Sequence, residues 1–491
     1  MPSSNLIERT AELVASARAV MAPAVQSELD ELDRRLREPV RIAVVGRVSS
    51  GKSTMVNALL GQRIAPTDVS ECTRLVTWFH YGHPQRLEVE RTDGTRSEVQ
   101  LAPGGTLPAE LGVPVETVAS LHCYLANELL KWMTLLDTPG IGSVHEEYSE
   151  TTEALLTIEQ RSASAAARAD AVVFLFNQVV MEDELRLLQR FKATSRTDGA
   201  QSAANAVGVL SKADQLGDGT RDPWGVALEL AGQFAGKFRD EVATVVPVIG
   251  LIAQTAETAA LTESDASHLS ALAAMDPDQR ERLMWSADRF ISADAPVESA
   301  ARERLLELLD LYGVERALSY LAETPGNAVA LRRELSQLSG VAAVKRTLAK
   351  YFTEQDHVLK VRSVIETLDH LTYRADAGGP AQLSGFRAQV EALRLDPDMH
   401  AVAELEALHE CHTGRVTLDP PVMAEVTRLF AAGSAATKLG MPAASPPDLV
   451  AHARDRMGWW RAFMVSEADP AQARLARVVL RSYQLIWKEL S

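Results

Sequence analysis

The run "VRIAVVGRVSSGKSTMVNALLG", residues 40–61, constrains this chain more than any other. "VRIAVVG" is a short, β-branched, uninterrupted apolar run, the pattern of a strand buried on both faces. "STMVNALLG" reads as a helix that stops at Gly61. Between them, Gly46 and Gly51-Lys52-Ser53 satisfy G-x-x-x-x-G-K-[ST]. Glycines let such a loop turn tightly, so that successive backbone N–H groups and the next helix N-terminus face one cavity. That arrangement suits a polyphosphate. Ser49, Ser50 and Thr54 complete the loop and its helix start, Lys52 is placed for the β and γ phosphates, and Ser53 Oγ for Mg²⁺.

Later strands supply three further segments in order. "LLDTPG" ends one strand with Asp137, placed to hold Mg²⁺ through water, and Gly140, whose N–H faces a γ-phosphate. "LSKAD" ends another. There Asp214 matches the N1–H and N2–H₂ donors of guanine, a paired demand that adenine does not meet, and the stem of Lys212 is placed to lie on the base. Between loop and Asp137, the polar "IAPTDVSECTRLVT" offers Thr67 and Thr73 as hydroxyls that close on Mg²⁺. Together the four segments follow the order and spacing of a GTPase.

Apolar runs at 170–178, in "NAVGVLSKAD" and in "TVVPVIGLIAQTA" read as further strands, with helical patterns between the later ones, and a hairpin is expected at Asp93-Gly94. Alternating strands and helices predict a mostly parallel sheet with helices on both faces. Strand patterns stop near 257. Residues 6–37 and the C-terminal third instead show helical spacing, including a long pattern over 339–376.

Composition narrows the function classes. The 491 residues carry a net charge of −16, which argues against broad nucleic-acid binding. The three cysteines, Cys72, Cys123 and Cys411, form no disulfide framework and fit a reducing compartment. The N-terminus has no signal-peptide pattern, and no apolar run approaches the roughly 18 residues of a membrane span. The expected location is cytoplasmic, peripheral on the inner face of the plasma membrane.

"GRVSSGKSTMVNALLGQRIAPTDVSECTRLVTWF", with "DTPG" and "SKAD" downstream, resembles the GTPase domain of bacterial dynamin-like proteins, especially the actinobacterial isoniazid-inducible (Ini) group. The motifs span residues 40–215. The resemblance implies an α/β P-loop GTPase head plus a discontinuous all-α bundle built from both chain ends. It implies N-terminal bundle helices over 1–38, a head over 39–352 with a helical elaboration at 257–338, and a C-terminal bundle over 353–491. It also implies GTP/GDP and Mg²⁺ as ligands, GTP hydrolysis, head-to-head dimers or a heteromer with a related dynamin-like partner, and peripheral contact with membrane lipid. A slow or non-hydrolysing nucleotide-bound scaffold pairing with a related dynamin-like partner is the alternative; a ribosome- or RNA-associated GTPase, the less favoured reading, would need a basic appended domain, which the acidic helical remainder does not offer.

Carried over by position, Lys52 and Ser53 match the phosphate and magnesium positions. Thr73 matches the switch threonine that positions water, Asp137 and Gly140 the second switch, and Lys212 and Asp214 the base reader. Three departures stand out. Eukaryotic dynamins place a water-orienting glutamine where this chain has Val48. Ser49 matches a residue that helps bind a monovalent cation (K⁺ or Na⁺), while Arg47 is a rival charge donor. Ser211 replaces the usual Asn or Thr before the lysine. Gln254-Thr255-Ala256 is expected to serve guanine O6.

Two C-terminal features are weighed as well. The small, Pro-ended stretch 431–448, with Lys438, Leu439 and Met441, is the expected lipid-contacting tip; residues 414–462 hold six Lys/Arg against four Asp/Glu. Trp459, Trp460 and Phe463, beside Arg456 and Arg461, suit a membrane interface or a bundle core with snorkelling arginines, and the core reading is favoured. His400, His409, Cys411 and His412 lack the second ligand pair that a zinc site shows.

Overall fold

The computed structural model describes residues 2–66, 71–102, 104–140, 169–178, 206–217, 221–238, 241–324, 326–353, 356–374, 376–394, 396–412, 416–431, 433–466 and 470–490. Its centre is a nine-stranded sheet: β1 (Val40–Gly46), β2 (Thr77–Tyr81), β3 (Arg86–Arg91), β4 (Arg96–Val99), β5 (Val118–Leu125), β6 (Met133–Asp137), β7 (Ala171–Phe176), β8 (Ala206–Leu210) and β9 (Val245–Pro247). The order across the sheet is β4-β3-β5-β2-β6-β1-β7-β8-β9. From β6 through β9 every pairing is parallel. β2 runs antiparallel to β6 and starts a mixed half that contains the β3–β4 hairpin.

All seven residues of β1 are buried, as an uninterrupted apolar strand between two parallel neighbours must be. Along β1, even-numbered Val40, Ile42 and Val44 join one apolar cluster, and Ala43 and Val45 join the other. The first cluster packs under α3 (Lys52–Leu60) and reaches Phe352; the second packs under α4 (Pro223–Lys237) and α5 (Gly250–Glu257). Five more helices extend the second cluster: α6 (Glu263–Ala273), α7 (Pro277–Leu283), α8 (Ala287–Ser292), α9 (Ser299–Glu323) and α10 (Ala328–Leu338).

Two sequence expectations are corrected here. The run 244–256 is a strand only over Val245–Pro247, and from Gly250 it is helix α5, whose residues 252–256 are buried. An apolar run that is covered on every side carries no period to separate strand from helix. β5, absent from the sequence reading, alternates polar Ser120 and His122 with core Leu121 and Cys123 on the same strand. The long pattern 339–376 is interrupted: α11 (Val341–Leu348) passes through a π turn at Ala349–Thr353 before α12 (Asp356–Tyr373).

The N-terminal helices pack on helices from the later part of the chain. Helices α1 (Pro2–Val20) and α2 (Gln26–Arg37), separated by a 3₁₀ turn at Pro23–Val25, share one core with α12 and α13 (Pro380–Arg394). Then follow α14 (Pro397–His412), α15 (Pro420–Leu429), α16 (Ala435–Leu439), α17 (Pro446–Ser466) and α18 (Pro470–Leu490), packed around Trp460 and Tyr483. Glu425 organises that core: it accepts from Trp460 Nε1 (3.0 Å), Tyr483 Oη (2.6 Å) and Arg456 Nε (2.9 Å).

Most of the expected tip at 431–448 is exposed, but two of its three named contact residues pack against the helical core. Leu439 is 2% exposed in the α16 turn and Met441 packs against the same core, so the two apolar contact candidates face inward. Gly440 closes the turn in the left-handed conformation, φ +74°, and folds the segment back. Trp460 is fully buried, while Trp459 remains partly exposed, stacked on Phe463 and under the Arg456 guanidinium. Among the described residues no cluster of His, Cys, Asp and Glu is arranged to hold a metal; His400 Nε2 shares a 2.9 Å hydrogen bond with Ser482 Oγ.

One node fastens α2 to the sheet. Asp170 Oδ1 accepts from Arg35 Nε (2.9 Å) and Nη2 (2.7 Å), and Oδ2 accepts from the Arg41 backbone N–H (2.8 Å). The Arg41 guanidinium pairs with Glu31 and Glu38 and lies over Trp78. Beside this node, a cavity of about 400 Å³ opens between α2 and the β2–β5 face, lined by Arg34, Trp78, His80 and Tyr124 among others; no residue of the 46–53 loop lines it. The Asp170 side chain is 1% exposed and Arg35 13%, so removing the acid strands a largely buried cation. Asp170→Ala is expected to cost about 3–5 kcal/mol, read as a lowered urea midpoint against wild type.

Candidate functional site

The phosphate loop is where the backbone is least ordinary. β1 ends at Gly46, where an added Cβ would fall 2.6 Å from Leu175 O and 2.7 Å from Ser50 Oγ. Ser49 (φ +60°) and Gly51 (φ +89°) both adopt left-handed conformations, and α3 starts at Lys52. A serine in that region is uncommon and is kept by its surroundings. The loop therefore wraps around its own centre, with Lys52 as the filling: Nζ donates to Arg47 O at 2.7 Å, and the residue is 8% exposed.

The second segment closes one wall. Asp137 ends β6, which lies beside β1 with Val44 opposite Asp137. Thr138 Oγ1 donates to Val44 O at 2.8 Å and pins the segment to the loop strand. Gly140 sits against the crest: a Cβ there would lie 2.6–2.8 Å from the Val48 side chain and backbone. Val48 itself is 46% exposed. Ser53 Oγ donates to Asp137 Oδ2 at 3.1 Å, whereas Asp137 Oδ1 is sealed from solvent and accepts no hydrogen bond.

These groups are electrostatically uncomfortable. Burial pushes the Asp137 carboxyl up to about 6, against the opposing pull of Lys52 and Ser53. Burial pushes the Lys52 ammonium down to about 8, with Asp137 opposing. Each charge is penalised by desolvation that its partner only partly offsets. A divalent cation beside Ser53 and Asp137, with phosphate oxygens at Lys52, answers both penalties and gives the orphaned Oδ1 a partner. Oxygen donors from a hydroxyl and a carboxylate are the chemistry Mg²⁺ prefers. The residues present thus fit Mg²⁺ and a polyphosphate.

The structure brings Gly46, Ser49, Ser50, Gly51, Lys52, Ser53, Asp137 and Gly140 to one end of the sheet. Thr54, one turn into α3, packs its methyl toward Gly250 rather than facing the loop centre alone. Thr73 lies half-buried on the 3₁₀ turn Glu71–Arg74, four residues before Thr77, which pairs with Asp137 in the sheet register. Thr67 lies outside the described residues.

The base-reading segment follows β8. Lys212 takes a left-handed conformation (φ +54°, ψ +43°), and Asp214 stands on the 3₁₀ turn Ala213–Gln215. Burial raises the Asp214 carboxyl, and the field of Asp310 pushes the same way. Asp310 is a discontinuity inside α9, with φ +56° and ψ +177°. Ser211 Oγ donates to Asn177 Oδ1 at 2.7 Å, at the end of β7. Asn177 and Asp310 went unnoticed in the sequence; the polar Asn closing an apolar strand in "FLFNQ" was the available signal. Gln254-Thr255-Ala256 cannot serve guanine O6: Gln254 is 5% exposed and pairs with Asn57, and Thr255 Oγ1 donates to Leu308 O at 2.6 Å. The turn into α5 carries these side chains into the core.

Sequence comparisons with known proteins show the family. Residues 42–195 match the model of the dynamin family. Over 473 residues the chain is 32% identical to isoniazid-induced protein IniC of Mycobacterium tuberculosis, covering 94% of this chain and 93% of IniC. The chain belongs to the dynamin family. This bacterial dynamin-like protein is also 33% identical over 135 residues to dynamin-like protein 2 of Campylobacter jejuni, 28% of this chain and 22% of that one. A solved structure described as an oligomerised bacterial dynamin pair that tethers membranes covers 99% of this chain and 90% of its own, at 13% identity and a TM-score of 0.36.

Asp137→Asn tests the charge strain in the dynamin-like protein. The folded carboxyl titrates above its unfolded value near 3.8, so ionisation costs stability as pH rises from 3.8 through 6. At pH 7.5 without ligand, the variant is expected to be more stable by about 1–3 kcal/mol, a gain that fades below pH 4. The same variant should lose the Mg²⁺-dependence of nucleotide affinity. Thermal melts at both pH values, with and without Mg²⁺·GDP, read both effects.

Proposed function

We propose that this dynamin-like protein binds GTP with Mg²⁺, hydrolyses it, and couples the nucleotide cycle to peripheral contact with a membrane. The observation that carries the nucleotide reading is the sealed, unpartnered Asp137 Oδ1 beside Ser53 Oγ and Lys52. Ser53, Asp137 and Thr73 would hold Mg²⁺, which when bound supplies positive charge to the β- and γ-phosphate oxygens. Lys52 exchanges Arg47 O for a phosphate oxygen and keeps its charge buried. The loop N–H groups, with Gly51 and Ser49 in left-handed turns, line the phosphate chain. Gly140 is the residue whose N–H meets the γ-phosphate, and only glycine fits against Val48 there. Thr73 orients the attacking water. Asp214 accepts from guanine N1–H and N2–H₂, with the Lys212 stem on the ring.

Val48 has no group with which to orient water, and its exposed position puts an aliphatic side chain at the crest. That favours slow turnover by the single chain. Ser49 with a monovalent cation, or Arg47, is the source of the charge that a second head completes when two heads pair, either as a homodimer or with a related dynamin-like partner. A non-hydrolysing nucleotide-bound scaffold is the second reading, and Val48 is the observation that favours it.

No helix among the described residues is long and apolar enough to cross a membrane. The membrane reading therefore rests on peripheral contact at the cytoplasmic face. With Leu439 and Met441 turned inward, the surface that supports it is the C-terminal half of α17, where Val465 is 81% and Trp459 38% exposed. Such residues suit the interfacial zone of a bilayer.

GTP turnover by the purified chain, with and without anionic liposomes, tests the proposal. Expected are slow basal hydrolysis, an increase on liposomes, and loss of at least a hundredfold in Lys52→Ala. Turnover indifferent to lipid would remove the membrane coupling. Tight GTP binding without turnover would favour the scaffold.

A further inference from the structure

We infer that Asn177 supplies the hydrogen bond to purine N7 in the base site, a donor role for which Ser211 has no free hydrogen. The inference rests on the guanine reading of Ser211–Asp214. Guanine presents donors at N1 and N2 and acceptors at O6 and N7. An ionised Asp214 only accepts, so the acceptor edge needs a donor from elsewhere.

The donors around Asp214 are largely spent within the protein. Ser211 N donates to Phe176 O (2.9 Å), Ala213 N to Val248 O (3.2 Å) and Gln215 N to Lys212 O (3.0 Å). Ser211 has one hydroxyl hydrogen, and its shortest contact commits that hydrogen to Asn177 Oδ1 at 2.7 Å. Gln254 is buried against Asn57. The connection from β9 to α5 is only Val248 and Ile249, both buried, and offers no side chain to the base.

Asn177 is placed differently. It follows Phe176, which pairs with Leu210 of β8, and it stands two residues past Leu175, which pairs with Gly46 of β1. It therefore projects from the end of the sheet between the phosphate loop and the base-reading segment, half-buried. With the Ser211 hydrogen given to Asn177 Oδ1 at 2.7 Å rather than to Phe176 O at 3.2 Å, the amide oxygen faces Ser211, and Nδ2 with its two N–H groups turns away from it. A short serine just past β8 and an asparagine just past β7 together do what one longer amide at the serine position would do alone.

The test compares GDP with 7-deaza-GDP, which lacks only the N7 acceptor, by titration calorimetry in Mg²⁺. Wild type is expected to bind 7-deaza-GDP about tenfold more weakly than GDP. Asn177→Ala and Asn177→Asp should each weaken GDP by about tenfold and bind the two ligands alike. Discrimination retained in both variants, or missing in wild type, overturns the inference. If Asn177→Ala does not fold, Asn177→Asp and Ser211→Ala carry the test; the latter frees the amide and should also shrink the discrimination. Asp214→Asn is the control for the underlying reading: its amide donates to a 2-oxo group, so preference should move from GDP to xanthosine diphosphate. If that switch occurs and Asn177 has no effect on discrimination, only the Asn177 role fails. If the switch does not occur, the guanine site itself is wrong and the inference falls with it.

Discussion

The buried pair of Lys52 and Asp137 is the constraint around which the head is organised. Neither charge is comfortable without ligand, and the protein holds Asp137 at the end of β6 and Lys52 at the start of α3, beside the buried strand β1. That rigidity is what permits the discomfort. Two apolar layers clamp β1 from opposite faces, and Asp137 Oδ1 is sealed from solvent at the end of the neighbouring strand. A site that pays for charge burial in the ligand-free state gains the most when a cation and phosphates arrive.

The same strand links two ends of the molecule. At its start, Arg41 and the Asp170 carboxylate tie β1 to β7 and to helix α2 of the bundle. At its end, Gly46 opens the phosphate loop. β7 repeats the arrangement, with Asp170 before its first residue and Asn177 after its last. The phosphate-loop end of β1 and helix α2 are thus connected through two adjacent strands and one buried ion pair.

Local chemistry made part of this legible in the sequence. The strand–loop–helix unit reads directly because its signals are contiguous: an apolar run, glycines at fixed spacing and a helix stop. The mostly parallel sheet and the helical remainder follow from periodicity, and both are seen. What escaped was set by partners distant in sequence. Asn177 acquires meaning only beside Ser211, and Asp310 only beside Asp214. The α5 helix hid inside an apolar run that its burial made uniform. Within the expected tip, Leu439 packs against a core formed by helices before and after it, a contact that the local sequence does not show.

Proton linkage on binding tests the central claim most directly. Magnesium-saturated GDP would be titrated into the protein in buffers of different ionisation enthalpy, near pH 6 and again near pH 8.5. If buried Asp137 and Lys52 are the ligand-neutralised pair, binding releases protons near pH 6, as Asp137 is held ionised, and takes up protons near pH 8.5, as Lys52 is held charged. Asp137→Asn abolishes the release and leaves the uptake. Heats independent of buffer at both pH values, or a release that survives in Asp137→Asn, would contradict the account.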